Sequence, residues 1–146
     1  AFEHDYKILI EEMMTGTETE TAVMGNFDAV AAECVGEIAP AAEFYDYEAK
    51  YEDENSKLTI PADMDAELAE KVKEYAVRAY KVCECRGLSR VDFFVDKETG
   101  DIRLNEINTL PGFTNISMYP KLWMASGLSY SEIIDRLIEL ALRRCD

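Results

Sequence analysis

The sequence predicts an α+β fold, an antiparallel sheet with flanking helices. Three observations carry this. Short β-branched runs and helical runs follow one another without regular βαβ alternation. Residues 90–108 hold two apolar-rich runs around a Gly-containing turn, the pattern of a β-hairpin. Two stretches, one from Asp63 or Asp65 to Val82 and one from Tyr130 to Arg144, repeat apolar residues at helical spacing.

Taken in order, Tyr6–Glu12 (YKILIEE) reads as a strand, followed by Met13, Met14 and a turn at Thr15-Gly16. Glu18–Met24 alternates polar and apolar residues and reads as a second strand. Gly25-Asn26 turns the chain, and Ala29–Glu33 makes a third strand, completing a small meander. Gly36–Ser56 is polar, aromatic and aperiodic, a loop long enough to be functional or disordered. Its run F-Y-D-Y-E-A-K-Y is too tyrosine-rich for disorder. Leu58–Ile60 is a short strand ended by Pro61. The helix that follows is capped by Asp63 or Asp65, buries Leu68, Val72, Tyr75, Ala79 and Val82, and is stopped by Gly87. Beyond the hairpin, Tyr119–Ser126 is a short helix. Ser129 and Glu132 form a capping box for the last helix, which buries Ile133, Ile134, Leu137, Ile138 and Ala141. Arg143 and Arg144 suit its C-terminal end. No repeat or linker interrupts the chain, so residues 1–146 read as one domain.

Composition narrows the function. A chain of 146 residues that is 48% hydrophobic can bury a real core. Its formal charge is 15 − 30 = −15, which argues against nucleic acid or an anionic membrane as a partner. No apolar run approaches the roughly 20 residues of a membrane span. No signal peptide is visible, although the chain starts at Ala1 without Met, which leaves processing or truncation open. Cys34, Cys83, Cys85 and Cys145 fit no zinc spacing and read as reduced thiols of a cytoplasmic protein. His4 is the one histidine and lies near a chain end, which speaks against a histidine-based triad.

The hairpin carries the chemistry. Arg90, Asp92 and Phe94 point to one face by alternation, and so do Leu104, Glu106 and Asn108 on the second strand. If Asp96 pairs with Ile102, Asp92 lies opposite Glu106 and Arg90 opposite Asn108. Two carboxylates and an amide are hard ligands suited to magnesium, which keeps waters and also takes phosphate oxygens. Arg90 adds a fork for phosphate or carboxylate. Taken alone, a D…E-x-N pattern is better explained by a solvated hairpin with ordinary surface charges. The continuation T-L-P-G-F-T-N-I-S shifts the balance. Pro111-Gly112 forces a turn directly after the ligands, Gly112 lets a ligand approach the backbone, and Thr114, Asn115 and Ser117 supply small polar groups.

The run L-N-E-I-N-T-L-P-G-F-T-N-I-S-M-Y-P resembles the signature of the D-alanine–D-alanine ligases, an ATP-grasp family. R-V-D-F-F-V-D, F-Y-D-Y-E-A-K-Y and E-E-M-M-T-G-T-E resemble further motifs of that family, in the same order. The resemblance implies a C-terminal ATP-grasp subdomain that uses ATP and Mg2+ (or Mn2+) to join two D-alanines through an acyl phosphate, for peptidoglycan precursors. Under it, Glu11, Glu12, Met13 and Met14 line the adenine pocket and Glu18 holds the ribose. Asn105 and Glu106 also contact the nucleotide. Asp92, Glu106 and Asn108 bind the metal. Lys50 neutralises phosphate charge from an ω-loop, and Tyr51 reaches the second D-alanine subsite. Arg90 and the Gly112 N–H serve the oxyanion, and Ser117 and Met118 shape the second subsite. Relatives that make D-Ala-D-Ser or D-Ala-D-Lac tend to carry Arg where this chain has Met118, so D-alanine is the expected acceptor. The N-terminal domain and central lid of the family have no counterpart here, so the chain is expected to be an inactive fragment of an enzyme that is itself a homodimer. The competing readings are a related ATP-grasp ligase with another product, and an acidic binding module without turnover.

Overall fold

The computed structural model describes residues 3–39 and 57–143. The elements are β1 Thr17–Gly25, β2 Val30–Ala31, β3 Gly36–Ala39, β4 Lys57–Thr59, α1 Ala66–Val82, β5 Gly87–Val95, β6 Ile102–Asn108, α2 Met118–Ala125 and α3 Tyr130–Arg143. The strands make one antiparallel sheet in the order β4-β3-β1-β5-β6, with β2 beside β1. This is the α+β architecture the sequence predicts.

Alternation along the central strands gives the sheet two different faces. Val23, Val91, Phe93 and Val95 meet Val72, Ala76 and Tyr80 of α1 on the first. Ala22, Met24 and Ile38 meet Tyr119, Leu122, Trp123 and Ile133 of α2 and α3 on the second. The helices cover only part of the second face. Further along the same strands, in phase with Ala22 and Leu88, the chain places Glu18, Glu20, Arg90, Asp92, Glu106 and Asn108. Gly36 permits the close approach of α2, because a Cβ there would lie 2.5 Å from Met118 Sδ.

Several expectations are corrected. Tyr6–Glu12 is not a strand, and Tyr6, Leu9 and Ile10 are exposed. Its apolar run has no strand to pair with among the described residues, and an unpaired strand does not persist in water. The expected third strand shrinks to the two residues Val30–Ala31, whereas Gly36–Ala39, expected as loop, pairs with β1. In α1 the buried residues are Val72, Ala76 and Tyr80, whereas Tyr75 and Val82 are exposed. The stripe is rotated because the Tyr80 hydroxyl donates to the Gly25 carbonyl at 2.7 Å beneath β1. Asp65 stands at the N-cap without a side-chain capping bond. The helix ends not at Gly87 but at Val82, with Cys83 as C-cap and Glu84 after it at a left-handed φ of 52°. The Glu84 and Cys85 amides return to the Lys81 and Tyr80 carbonyls, the bond pair of a Schellman end. In α3 only Ile133 is fully buried, while Ile134 and Ile138 are exposed. The helix rests on the sheet along Ile133, Leu137 and Leu140. Cys34, Cys83 and Cys85 are free. Among the described residues no helix is long and apolar enough to cross a membrane.

The capping box forms as predicted. Ser129 Oγ accepts from the Glu132 amide at 3.3 Å, and Glu132 Oε2 accepts from the Ser129 amide at 2.7 Å. The Ser129 hydroxyl and amide hold the Glu132 carboxyl below the usual carboxylate range. A depressed folded-state value means this support is present above the ordinary carboxylate range and fades as pH falls through the depressed one. Ser129→Ala is expected to lower stability by about 1 kcal/mol at neutral pH, read as a shift in the urea midpoint. The gap to the wild type should narrow in acid.

Candidate active site

The site grows from a defect in the hairpin. At its inner end the predicted register holds, with Asp92 opposite Glu106 and Arg90 opposite Asn108. At the turn it does not, since Val95 rather than Asp96 pairs with Ile102. The difference is a β-bulge. Phe93 pairs with Leu104 and Asp92 with Glu106, so Asn105 is the extra residue. A bulge reverses alternation on the strand that carries it. Leu104 therefore lies on the α1 side with Phe93 and does not share a face with Glu106 and Asn108, contrary to expectation. Without the extra residue, Ile102 and Glu106 would face the same way. One would have to leave the core, or the other would leave the site.

On that second face the charges are tightly drawn together. Arg90 Nε donates to Asp92 Oδ1 at 2.9 Å, and Nη2 donates to Oδ2 at 2.7 Å. Glu106 Oε1 lies 3.7 Å from Nη2. Asp92 is fully buried. Burial alone would pull the Arg90 proton affinity down. The bond to Asp92 and the charges of Glu20, Asp92 and Glu106 outweigh it and push it above the ordinary value, so Arg90 stays charged. Glu20, on β1 directly opposite Asp92, is a member that the sequence reading missed. Its Oε1 stands 3.2 Å from Arg90 Nε, and it is 2% exposed. A signal was available, because Glu20 falls in phase with the core residues Ala22 and Met24.

Three carboxylates against one guanidinium leave a formal local charge of 1 − 3 = −2 among the described residues. Such an excess on buried strands suits a divalent cation, and Asp92, Glu106 and Asn108 are the hard donors on one face that fit it. No three carboxylate, histidine or cysteine groups among the described residues could hold an ion by themselves. An amide donor and outside oxygens fit the set better than an all-carboxylate cage. Asn108 Oδ1 already accepts from the Leu110 amide at 3.2 Å, and a carbonyl oxygen has a second lone pair to offer.

The Pro111-Gly112 turn brings two further predicted residues together. A Cβ on Gly112 would lie 2.9 Å from Ser117 Oγ. The Ser117 hydroxyl also accepts from the Thr114 amide at 3.0 Å, which closes the loop ahead of α2. Met118 is 4% exposed and belongs to the core under α2. Any effect it has on substrate choice therefore acts through the space it fills.

The nucleotide-side residues are less gathered. Glu12, Met13 and Met14 line a small cavity of about 100 Å³ with Thr15, Phe94, Asp96, Asp101 and Arg103. Arg103 Nη1 lies 3.6 Å from Met14 Sδ and 3.8 Å from Glu12 Oε2. Glu11 does not line it. Glu18 pairs with Phe94 across β1 and β5, which puts it on the face of the charge cluster. Asn105 is exposed at the bulge. Lys50 and Tyr51 lie outside the described residues.

An antiparallel sheet with helices over part of one face, and a largely buried arginine–carboxylate cluster beyond them, defines a C-terminal unit of the ATP-grasp class. The family model described as the D-ala D-ala ligase C-terminus matches residues 1–139, and the chain belongs to that family. It is 60% identical over 146 residues to a D-alanine–D-alanine ligase of Ruminiclostridium cellulolyticum, and 58% identical over 144 residues to one of Acetivibrio thermocellus. These alignments cover 99% of this chain but 39% and 38% of those relatives, so the chain spans about two-fifths of their length. Among solved structures, the VanG D-Ala:D-Ser ligase of Enterococcus faecalis superposes with a TM-score of 0.84 at 43% identity, over 96% of this chain and 40% of that one. The D-alanine–D-alanine ligase of Coxiella burnetii gives 0.78 at 40% identity, over 92% and 34%.

Proposed function

We propose that residues 1–146 are the C-terminal domain of an ATP-dependent ligase that joins two D-alanines, and that this segment holds the phosphates and steadies the reacting carboxyl. The observation that carries the reading is the Arg90–Asp92–Glu106 cluster, set across a bulged hairpin on the sheet face beyond α2 and α3. In this reading Asp92, Glu106 and Asn108 hold Mg2+ or Mn2+. Bound there, the ion would supply charge neutralisation to the nucleotide phosphates. Phe94 and the Met13–Met14 segment border the base, and Glu18 accepts from the ribose hydroxyls, with Glu11, Glu12 and Asn105 alongside. Lys50 adds positive charge at the phosphates. Arg90 and the Gly112 N–H stabilise the oxyanion as the second D-alanine amine attacks the acyl phosphate. Tyr51 and Ser117 orient that second amino acid.

Acceptor choice rests on position 118. A D-Ala:D-Ser ligase superposes at a TM-score of 0.84 and a D-alanine–D-alanine ligase at 0.78, so backbone likeness does not carry the acceptor reading. A buried Met118 offers no charge to a hydroxyl-bearing acceptor, which favours D-alanine. The test is phosphate release by the complete chain that contains this segment, with ATP, Mg2+ and a panel of D-amino acids. D-Alanine is expected to be the preferred acceptor, and the segment alone is expected to make no dipeptide. Preferential use of D-serine would remove the specificity reading. ATP turnover indifferent to every D-amino acid would remove the ligase reading.

A further inference from the structure

We propose that Tyr130 is a positioning residue for the loop of residues 109–117, clamping the Phe113–Thr114 peptide so that Gly112 and Ser117 keep their places in the site. This rests on the functional reading of Gly112 and Ser117 above. The loop has little backbone structure of its own. Among the described residues one backbone bond closes it, from the Ser117 amide to the Thr114 carbonyl at 3.0 Å. Gly112, Thr114, Asn115 and Ile116 are exposed. An exposed, irregular segment of this kind opens at low free energy unless side chains hold it.

Three side chains do hold it. At its start, Asn108 Oδ1 accepts from the Leu110 amide at 3.2 Å. At its end, Ser117 Oγ accepts from the Thr114 amide at 3.0 Å and shares a 2.8 Å bond with Thr114 Oγ1. Between them, the Tyr130 hydroxyl donates to the Phe113 carbonyl at 3.0 Å. The Phe113 carbonyl and the Thr114 amide belong to one planar peptide. Tyr130 grips that plane by its oxygen, and Ser117 grips it by its nitrogen. Hydrogen bonds in such a chain polarise and strengthen one another. The plane so fixed links Gly112, one residue before it, to Ser117, three residues after.

Asn108 and Ser117 flank the loop, whereas Tyr130 reaches it from α3. That helix is a firm support. The Ser129–Glu132 capping box closes its first turn around Tyr130, and Ile133 is fully buried against the sheet. The Tyr130 ring also lies 5.4 Å from the Phe113 ring, which in turn lies 5.9 Å from the ring of the buried Tyr119. A phenylalanine at position 130 would keep those ring contacts. The hydroxyl adds one thing, the bond to the Phe113 carbonyl, so its contribution can be separated from packing.

The test is Tyr130→Phe, with amide exchange followed by NMR in this chain. The Thr114 amide should exchange with water about fivefold faster, the factor equivalent to about 1 kcal/mol and the size of one neutral hydrogen bond. Amides of α3 and of the strands should keep their protection. In the complete chain, Tyr130→Phe should lower kcat/KM for D-alanine about fivefold with the ATP KM within about twofold. An unchanged Thr114 exchange rate overturns the proposal. Faster exchange along α3 in step with Thr114 overturns it too, because Tyr130 would then serve the helix and not the loop. Ser117→Ala in the complete chain separates the two readings. If it impairs D-alanine kinetics and Tyr130→Phe does not, the positioning role is overturned. If it leaves them intact, the reading of Ser117 fails and the positioning role falls with it, while the exchange data still show whether the clamp exists.

Discussion

Replacing Arg90 by Met lowers the unfolding free energy of this chain by about 3–5 kcal/mol at neutral pH, because it removes the guanidinium that the buried Glu20 and Asp92 share. Both carboxylates are essentially inaccessible, at 2% and 0% exposed, so water does not take over from the guanidinium. Domains of this size are stable by about 5–15 kcal/mol, so the loss is about a fifth or more of the whole. Methionine keeps most of the stem's packing, which confines the effect to charge. The measurement is urea unfolding followed by circular dichroism, with Arg103→Met as the control. Arg103 is half exposed and pairs with Glu12 and Asp101 only at 3.8 Å. Its removal should cost no more than about 0.5 kcal/mol. Equal midpoints for the two variants would mean that the Arg90 cluster is solvated, and the electrostatic account of the site would fail with it.

Asp92→Asn in the complete chain is expected to reduce kcat/KM for ligation by about 10²–10³-fold, the scale on which a preorganised charge at a reacting centre acts. The substitution keeps shape and removes one charge at the residue where the arginine grip and the proposed cation set meet. Both functions weaken together, so the loss should appear in kcat as well as in the metal concentration required. Asp135→Asn, on the exposed side of α3, is the comparison, because Asp135 lies outside both the charge cluster and the cavity. It should leave activity within about twofold. Activity of Asp92→Asn within threefold of the parent would show that the buried carboxylate serves folding alone.

The hairpin shows how far reading alone reached. Alternation and the Gly-containing turn were enough to set Asp92 against Glu106 and Arg90 against Asn108. The pairing at the turn was off by one residue, and the bulge at Asn105 made up the difference. A bulge has no strong local signature when its extra residue is an asparagine. It forms because Ile102 is drawn to the α1 side while Glu106 must face the other way. The same limit appears in the helices. Helical spacing located α1 and α3, yet their buried stripes were rotated, because Tyr80 bonds to Gly25 and α3 rests on Ile133, Leu137 and Leu140.

By itself, then, the sequence determined the α+β class, the family likeness, the capping box at Ser129 and Glu132, and the hairpin that brings Asp92 to Glu106. All of these depend on short-range periodicity, turn chemistry or contiguous motifs. Only the tertiary structure decided that Tyr6–Glu12 is no strand, that Asn105 bulges, and that Glu20 reaches Arg90 from a strand seventy residues away in the chain. The physical reason is that pairing, burial and charge compensation belong to neighbours in space, and a residue's own stretch of chain does not specify which neighbours those are.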